Sequence, residues 1–270
     1  MRGDQVKPRK KRLRRPLPRV IPVRALAPTI LTVLALCSGV TAIRFAINEN
    51  WSMAVVAVLM AALFDSLDGR VARMIKGTSR FGAEMDSLSD VICFGVSPAL
   101  VLYFWSLQQL GGLGWAVSLL FCVCCALRLA RFNILDKDAQ ESGEVQNHFV
   151  GVPAPGAAML MLLPMVASIG FGVDDFRETV IVAPFMIVLA LLMISQIPTY
   201  SFKYVRIDRD YVVPILVGVV VFVGLLTSFF WATLMTIGLV YIVLIVVGAL
   251  QGIGAEEEAD SPEEPAPEAD

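Results

Sequence analysis

The chain has 270 residues, 57% of them hydrophobic and 17% charged, with a formal net charge of −2 and five cysteines. That apolar share, with a mean hydropathy of +0.72, exceeds what an ordinary soluble domain carries, so the composition is that of an integral membrane protein, and no nucleic-acid partner is expected. The near-neutral charge hides two opposed ends: ten Lys or Arg lie between Arg2 and Arg24, and eight acids with Pro262, Pro265 and Pro267 lie between Glu256 and Asp270. Segments of that kind bury too little apolar surface to fold. Residues 1–25 are therefore expected as a basic arm, 26–252 as the membrane domain and 253–270 as an acidic, disordered tail.

An apolar helix of about 20 residues crosses a hydrocarbon core of about 30 Å. Runs near 27–48, 51–72, 84–106, 113–132, 152–172, 180–198, 211–229 and 231–251 meet that length. They predict an all-α polytopic helix bundle of about eight transmembrane helices. The basic arm leads into a full-length span without a small-residue cleavage site, so the first span is expected to stay as an anchor. Cytoplasmic loops carry the excess of Lys and Arg. With eight spans and the N-terminus inside, 20 of the 22 basic residues fall on one side and only Arg44 and Arg177 on the other. Both termini and the stretch from Asp65 to Asp90 are thus expected to face the cytoplasm.

In the first span, Pro28 suits an opening helical turn, where a missing N–H costs nothing. Thr32, one turn later, reads either as an incidental hydroxyl or as a polar contact for nearby acids. The second span holds an uninterrupted apolar run only from Met53 to Phe64, so it must continue through Asp65 and Asp68 to cross. Those two acids are three apart and share a helical face, with Gly69 and Ala72 adding small residues where a ligand or helix can approach the backbone. Arg70, Arg73, Lys76 and Arg80 follow. The third span opens near Gly82 and carries Asp86 and Asp90, four apart on one face. Two antiparallel helices joined by a short basic loop thus present two pairs of carboxylates to one another.

An ionisable side chain at membrane depth costs roughly 2.5 to 3.5 kcal/mol on insertion scales, which makes each of these acids a functional candidate. Hard divalent cations suit such a set: Mg2+ takes oxygen ligands and is usually shared between carboxylates and substrate phosphates. Two ions can bracket a phosphoryl group. Without a cation the four charges repel one another.

The pattern Asp-x2-Asp-Gly-x2-Ala-Arg-x8-Gly-x3-Asp-x3-Asp resembles that of the CDP-alcohol phosphatidyltransferase family. Asp65, Asp68, Gly69, Ala72, Arg73, Gly82, Asp86 and Asp90 match all eight fixed positions. Supporting matches are Pro28 to Thr32, Phe94 to Ala99, Arg128 to Asn133 and Phe149 to Pro155, and they are most similar to the branch of the family that uses L-serine as acceptor. Thr29 departs from the pattern, which has asparagine there. The resemblance implies that Asp65, Asp68, Asp86 and Asp90 hold one or two divalent ions, Mg2+ or Mn2+. It implies that Asp68, Gly69, Ala72, Arg73 and Gly82, with Thr32 beside them, bind the CDP-lipid, and that Asp90 is the general base. The implied reaction joins CDP-diacylglycerol and L-serine to give phosphatidylserine and CMP, among membrane lipids and in a homodimer. The alternative within the family is another alcohol, glycerol 3-phosphate or inositol phosphate.

Further along, Arg128 and Arg131 read either as the cationic end of the fourth span or as forks that grip the serine carboxylate or the lipid phosphate, with Asn133 as a third candidate. The polar stretch from Asp136 to His148 reads as a connector or a cover, and His148 as a loop residue. The five cysteines lack zinc-ligand spacing and read as packing residues. Asp174 to Glu178 reads as an outer loop, and the last two spans read as packing elements. A cation transporter would place acids near the bilayer midplane between broken helices or repeats, whereas these acids cluster at one end. A lipid-binding adaptor without catalysis would have no need of every acid of the motif.

Overall fold

The computed structural model describes residues 26–75, 80–142, 152–195 and 212–259, which form helices and short turns with no strand. In chain order the helices are α1 (Ala27–Ile47), α2 (Trp51–Ile75), α3 (Arg80–Asp90), α4 (Ser97–Trp105), α5 (Gly112–Ser142), α6 (Ala154–Met161), α7 (Leu163–Phe171), α8 (Thr179–Ile194), α9 (Val212–Ser228) and α10 (Phe230–Ala259). The protein is an all-α polytopic membrane protein. Among the described residues, six helices are long and apolar enough to cross a bilayer; α3 with α4, and α6 with α7, each form one of them. The expected sixth and seventh spans are shorter apolar helices. At 1.5 Å per residue α8 reaches about 24 Å, short of a full hydrocarbon core.

The site is set by how α1 and α2 pack. On α1 the residues Thr32, Ala35, Gly39, Ala42 and Ala46 are buried at spacings of three and four, which puts them on one face. On α2 the buried Ala54, Val58 and Ala61 begin a stripe of the same period that continues through Asp65 to the buried Asp68. Small side chains let two helix backbones approach closely. The helices run antiparallel, so the same seam that zips alanine to alanine at one end brings Thr32 against Asp68 at the other.

The span carrying Asp86 and Asp90 does not stay α-helical. Val91–Val96 is a π-helical turn, and the Ser97 N–H bonds the carbonyl of Ile92, five residues back. Proline accounts for it: a regular α-turn would drive the Pro98 ring into the carbonyl four residues earlier and leave that carbonyl without its N–H. The wide turn lies against α1, where the Ser97 hydroxyl donates to the Gly39 carbonyl and a Cβ at Gly39 would stand 3.0 Å from Cys93 Sγ. On its other side, a Cβ at Gly95 would meet Cys125 Cβ of α5 at 3.2 Å.

Pro164 likewise breaks the fifth span at Leu162 into α6 and α7. The helix α5 runs past Arg131 to Ser142, so the first part of the stretch expected as a polar loop is helix. Similarly α10 reaches Ala259, inside the segment expected as tail. The cysteines are all free; Cys93, Cys124 and Cys125 are buried and Cys122 half-buried, while Cys37 departs from the packing role and is exposed on α1. The basic arm, Lys76, His148, Phe149 to Gly151, and Lys203, Arg206 and Arg209 lie outside the described residues.

At the end of the bundle away from the aspartates, Arg177 ties three spans together. Its Nε donates to the Trp105 carbonyl at 3.0 Å, its guanidinium lies 5.8 Å from the centre of the Trp51 ring, and its own carbonyl accepts from Ser106 Oγ at 2.7 Å. The outer loop that showed no role in the sequence is thus a clasp.

Candidate active site

Asp65 and Asp68 come from the last turns of α2, and Asp86 and Asp90 from α3. One carboxylate oxygen from each of Asp65, Asp68 and Asp86 lies within 4.8 Å of the other two. Asp90, one helical turn beyond Asp86 on the same face of α3, stands beside this triad, close enough for its charge to act on that of Asp65. Asp68 is buried and accepts a hydrogen bond of 2.7 Å from Thr32 Oγ1. Below it the buried Ser89 hydroxyl donates to the Thr32 carbonyl at 3.3 Å, locking α3 to the same turn of α1.

Asp86 Oδ1 and Asp90 Oδ1 are buried without a hydrogen-bond partner. A buried carboxylate oxygen left unpaired is costly, and carboxylates this close repel. A hard divalent cation, which takes oxygen ligands from several carboxylates at once, satisfies both requirements, so the donor set fits the metal expected from the sequence.

Around the carboxylates, Gly69 and Ala72 are half-buried on α2, and a Cβ at Gly69 would meet nothing within 4 Å, which leaves room for a ligand beside Asp68. Gly82 is half-buried in the first turn of α3. Arg73 is exposed and its Nε donates to the Gly69 carbonyl at 3.0 Å, one turn back on α2.

The three recognition candidates on α5 separate. Arg128 is partly buried, its Nε has no partner, and its charge is within electrostatic reach of Asp90 and of Tyr241 on α10. Arg131 is exposed. Asn133 Nδ2 donates to Ser87 Oγ at 2.9 Å, which makes it a tie between α5 and α3. A separate apolar cavity of about 500 Å³ lies between α2, α6, α7 and α10, lined among others by Val55, Leu59, Gly156, Val166, Gly238 and Tyr241. It contains none of the acids. Val55 and Leu59 precede Asp65 by ten and six residues on α2, so the cavity sits about 9 to 15 Å further along the bundle.

Sequence reasoning missed Ser89 and Tyr241. Ser89 is hidden between two aspartates whose spacing draws the eye. Tyr241 carries a usable signal, a phenol in the middle of a Val- and Leu-rich span.

A family model described as CDP-alcohol phosphatidyltransferase matches residues 25–197, more than half of the chain, and contains all four aspartates. The chain belongs to the CDP-alcohol phosphatidyltransferase family. A second model, CDP-alcohol phosphatidyltransferase 2, matches residues 210–245, covering all of α9 and the part of α10 with Tyr241. Among similar curated proteins, a CDP-diacylglycerol–serine O-phosphatidyltransferase of Mycobacterium bovis is 38% identical over 71% of this chain and 66% of its own length. A protein of the same name from Helicobacter pylori is 37% identical over 67% of this chain and 74% of its own. The archaetidylserine synthase of Methanothermobacter thermautotrophicus is 38% identical over 67% of this chain and 70% of its own. The chain thus spans just under two thirds of the length of the mycobacterial relative that it matches.

Proposed function

We propose that the protein transfers the phosphatidyl group of CDP-diacylglycerol to the hydroxyl of L-serine, producing phosphatidylserine and CMP in phospholipid biosynthesis. The observation that carries the reading is the convergence of Asp65, Asp68 and Asp86 within 4.8 Å, with Asp90 alongside and an open space over Gly69. The names of the relatives support serine as the acceptor.

Asp65, Asp68 and Asp86, with Asp90, are the residues that would hold divalent ions, Mg2+ or Mn2+, which supply positive charge to offset that of the diphosphate. Thr32 fixes the Asp68 carboxylate, and Gly69, Ala72, Arg73 and Gly82 line the space for the nucleotide diphosphate. Asp90 takes the proton of the serine hydroxyl. The freed oxygen attacks the phosphorus on the lipid side, a new P–O bond forms, and the bond to the CMP phosphate breaks with its electrons on the departing oxygen. Arg128 holds the carboxylate of serine, while Arg131 and Asn133 remain secondary contacts. The apolar cavity deeper in the bundle offers hydrocarbon space at the depth of the lipid tails. The carboxylate end and both termini face the cytoplasm, where serine is available and CMP is released, and the basic residues around that end support this orientation. The working unit is a homodimer.

The test is to incubate the purified protein with CDP-diacylglycerol, a divalent cation and a panel of labelled alcohols: serine, glycerol 3-phosphate and inositol phosphate. Label from serine is expected in the lipid fraction. Label arriving only from a phosphorylated alcohol overturns the reading.

A further inference from the structure

We infer that Ser89 of α3 is a positioning residue that sets the gap between the two aspartate pairs and so suits the site to a small octahedral divalent ion over a larger one. The inference rests on the reading of the four acids as a cation site and adds to it a hydroxyl that bonds α1 instead of the acids.

Ser89 lies between Asp86 and Asp90 in the chain and is only 3% exposed. A serine in a helix commonly turns its hydroxyl back to its own backbone, as Ser87 does two residues earlier, donating to the Ala83 carbonyl at 3.1 Å. Ser89 reaches across instead and donates to the Thr32 carbonyl of α1 at 3.3 Å. The Thr32 hydroxyl meanwhile donates to the Asp68 carboxylate at 2.7 Å. One residue of α1, a helix with no acid of its own, is therefore the common reference for both halves of the site. Its hydroxyl holds Asp68 of α2, and its carbonyl holds the stretch of α3 between Asp86 and Asp90.

The span carrying Ser89 keeps that contact in register. Beyond the acids, the Ser97 hydroxyl donates to the Gly39 carbonyl, so a second serine docks on α1. Thr32 and Gly39 are seven residues apart, whereas Ser89 and Ser97 are eight apart. On an unbroken α-helix eight residues turn about 80° past two full turns, which would swing one hydroxyl off α1. The π-helical turn Val91–Val96 takes up the extra residue, and the missing side chain at Gly39 lets Cys93 close in between the two serines. Both hydroxyls thus reach α1, and α3 is held in rotation as well as distance where Asp86 and Asp90 leave it.

Mg2+ demands near-ideal octahedral geometry with oxygens at about 2.0 to 2.1 Å, whereas Ca2+ accepts more oxygens at about 2.3 to 2.6 Å in flexible arrangements. A gap held fixed by α1 serves the first ion, and a gap free to widen favours the second. Removing the Ser89 oxygen therefore weakens Mg2+ binding more than Ca2+ binding.

The experiment uses the full chain in detergent, without substrate, and follows the rise in Tm on titration with Mg2+ alone or Ca2+ alone. The unmodified protein is compared with Ser89→Ala, with Ser89→Cys, whose thiol is a weak donor, and with Ser97→Ala, which deletes the matching bond away from the acids. Both Ser89 variants are expected to raise the Mg2+ concentration at half-maximal shift roughly tenfold, as for residues that orient metal ligands, and the Ca2+ value less than about threefold. Ser97→Ala is expected to lower the metal-free Tm and to leave the ratio of the two values within about twofold, because its bond is remote from the acids. An unchanged Mg2+ value in the Ser89 variants overturns the inference, as does an equal loss for both ions or the same change of ratio in Ser97→Ala. If neither Ser89 variant folds while Ser97→Ala does, Ser89 is a plain stability element and the inference also falls. Absence of a shift with either ion in the unmodified protein rejects the cation reading and this inference together. A shift there that both Ser89 variants reproduce rejects only the inference.

Discussion

The hydrogen bond from Thr32 to Asp68 holds the Asp68 carboxylate in one orientation. One oxygen of that carboxylate lies within 4.8 Å of an oxygen of Asp65 and of Asp86. Replacing Thr32 by Val keeps the shape and removes that bond. The divalent ion concentration for half-maximal activity should then rise roughly tenfold to a hundredfold, as for other residues that orient metal ligands, and a metal titration of initial rates checks it. Asp90→Asn should lower turnover roughly a hundredfold to ten-thousandfold while CDP-lipid binding stays measurable. Near-normal turnover in that variant would remove Asp90 as the base. The four aspartates were legible because spacings of three and four have one meaning on a helix, a shared face. Arg128 could be proposed but not separated from Arg131 and Asn133, since all three lie within two turns and only tertiary packing decides which one is drawn inward. Tyr241 shows in the sequence only as a phenol in an apolar span, since the gap that receives it, at Gly156, is contributed by α6.

At the level of elements, the small-residue seam between α1 and α2 and the wide turn at Val91–Val96 together set where the carboxylates meet. The turn shifts the helical register just beyond Asp90, so its contacts with α1 and α5 fix the rotation of α3. Gly95→Leu should therefore force α5 away. An overpacked core position costs about 1 to 3 kcal/mol, read as a lower Tm of the detergent-solubilised protein with activity lost in parallel. The proline breaks were legible in kind, since Pro98 and Pro164 were visible inside apolar runs. Their outcomes were not: one is absorbed by widening a turn and the other by ending a helix, and the choice depends on neighbours that accept or refuse the displaced backbone. The true lengths of α5 and α10 were hidden because helix propagation into polar sequence leaves no mark in a hydropathy reading. The seventh expected span, 211–229, meets α9 within one residue at each end.

Across the whole molecule, the acids gather at one rim and the apolar cavity lies deeper, an arrangement that would separate the charged and apolar parts of the proposed lipid substrate by depth. Chelation of divalent ions should stop transfer completely, and restored Mg2+ or Mn2+ should revive it; activity that survives exhaustive chelation would remove the metal from the reading. Deleting residues 1–25 and 260–270 should leave kcat within about twofold, because both segments lie outside the family match and their charged, Pro-rich composition disfavours a folded core. Weaker retention on anionic vesicles is the effect expected of losing the basic arm. The all-helical bundle was readable from hydropathy alone, whereas its closure at the far rim was not, since a lone arginine in an outer loop gives no hint that two tryptophans and a serine await it.

That far closure by Arg177 divides the molecule mechanically. Spans stitched together at one rim by a guanidinium, an indole and two backbone carbonyls cannot spread there without losing several contacts at once. On the proposed reaction, the loosening that admits a double-tailed lipid and releases a nucleotide would then fall on the opposite rim, where no such clasp is found among the described residues.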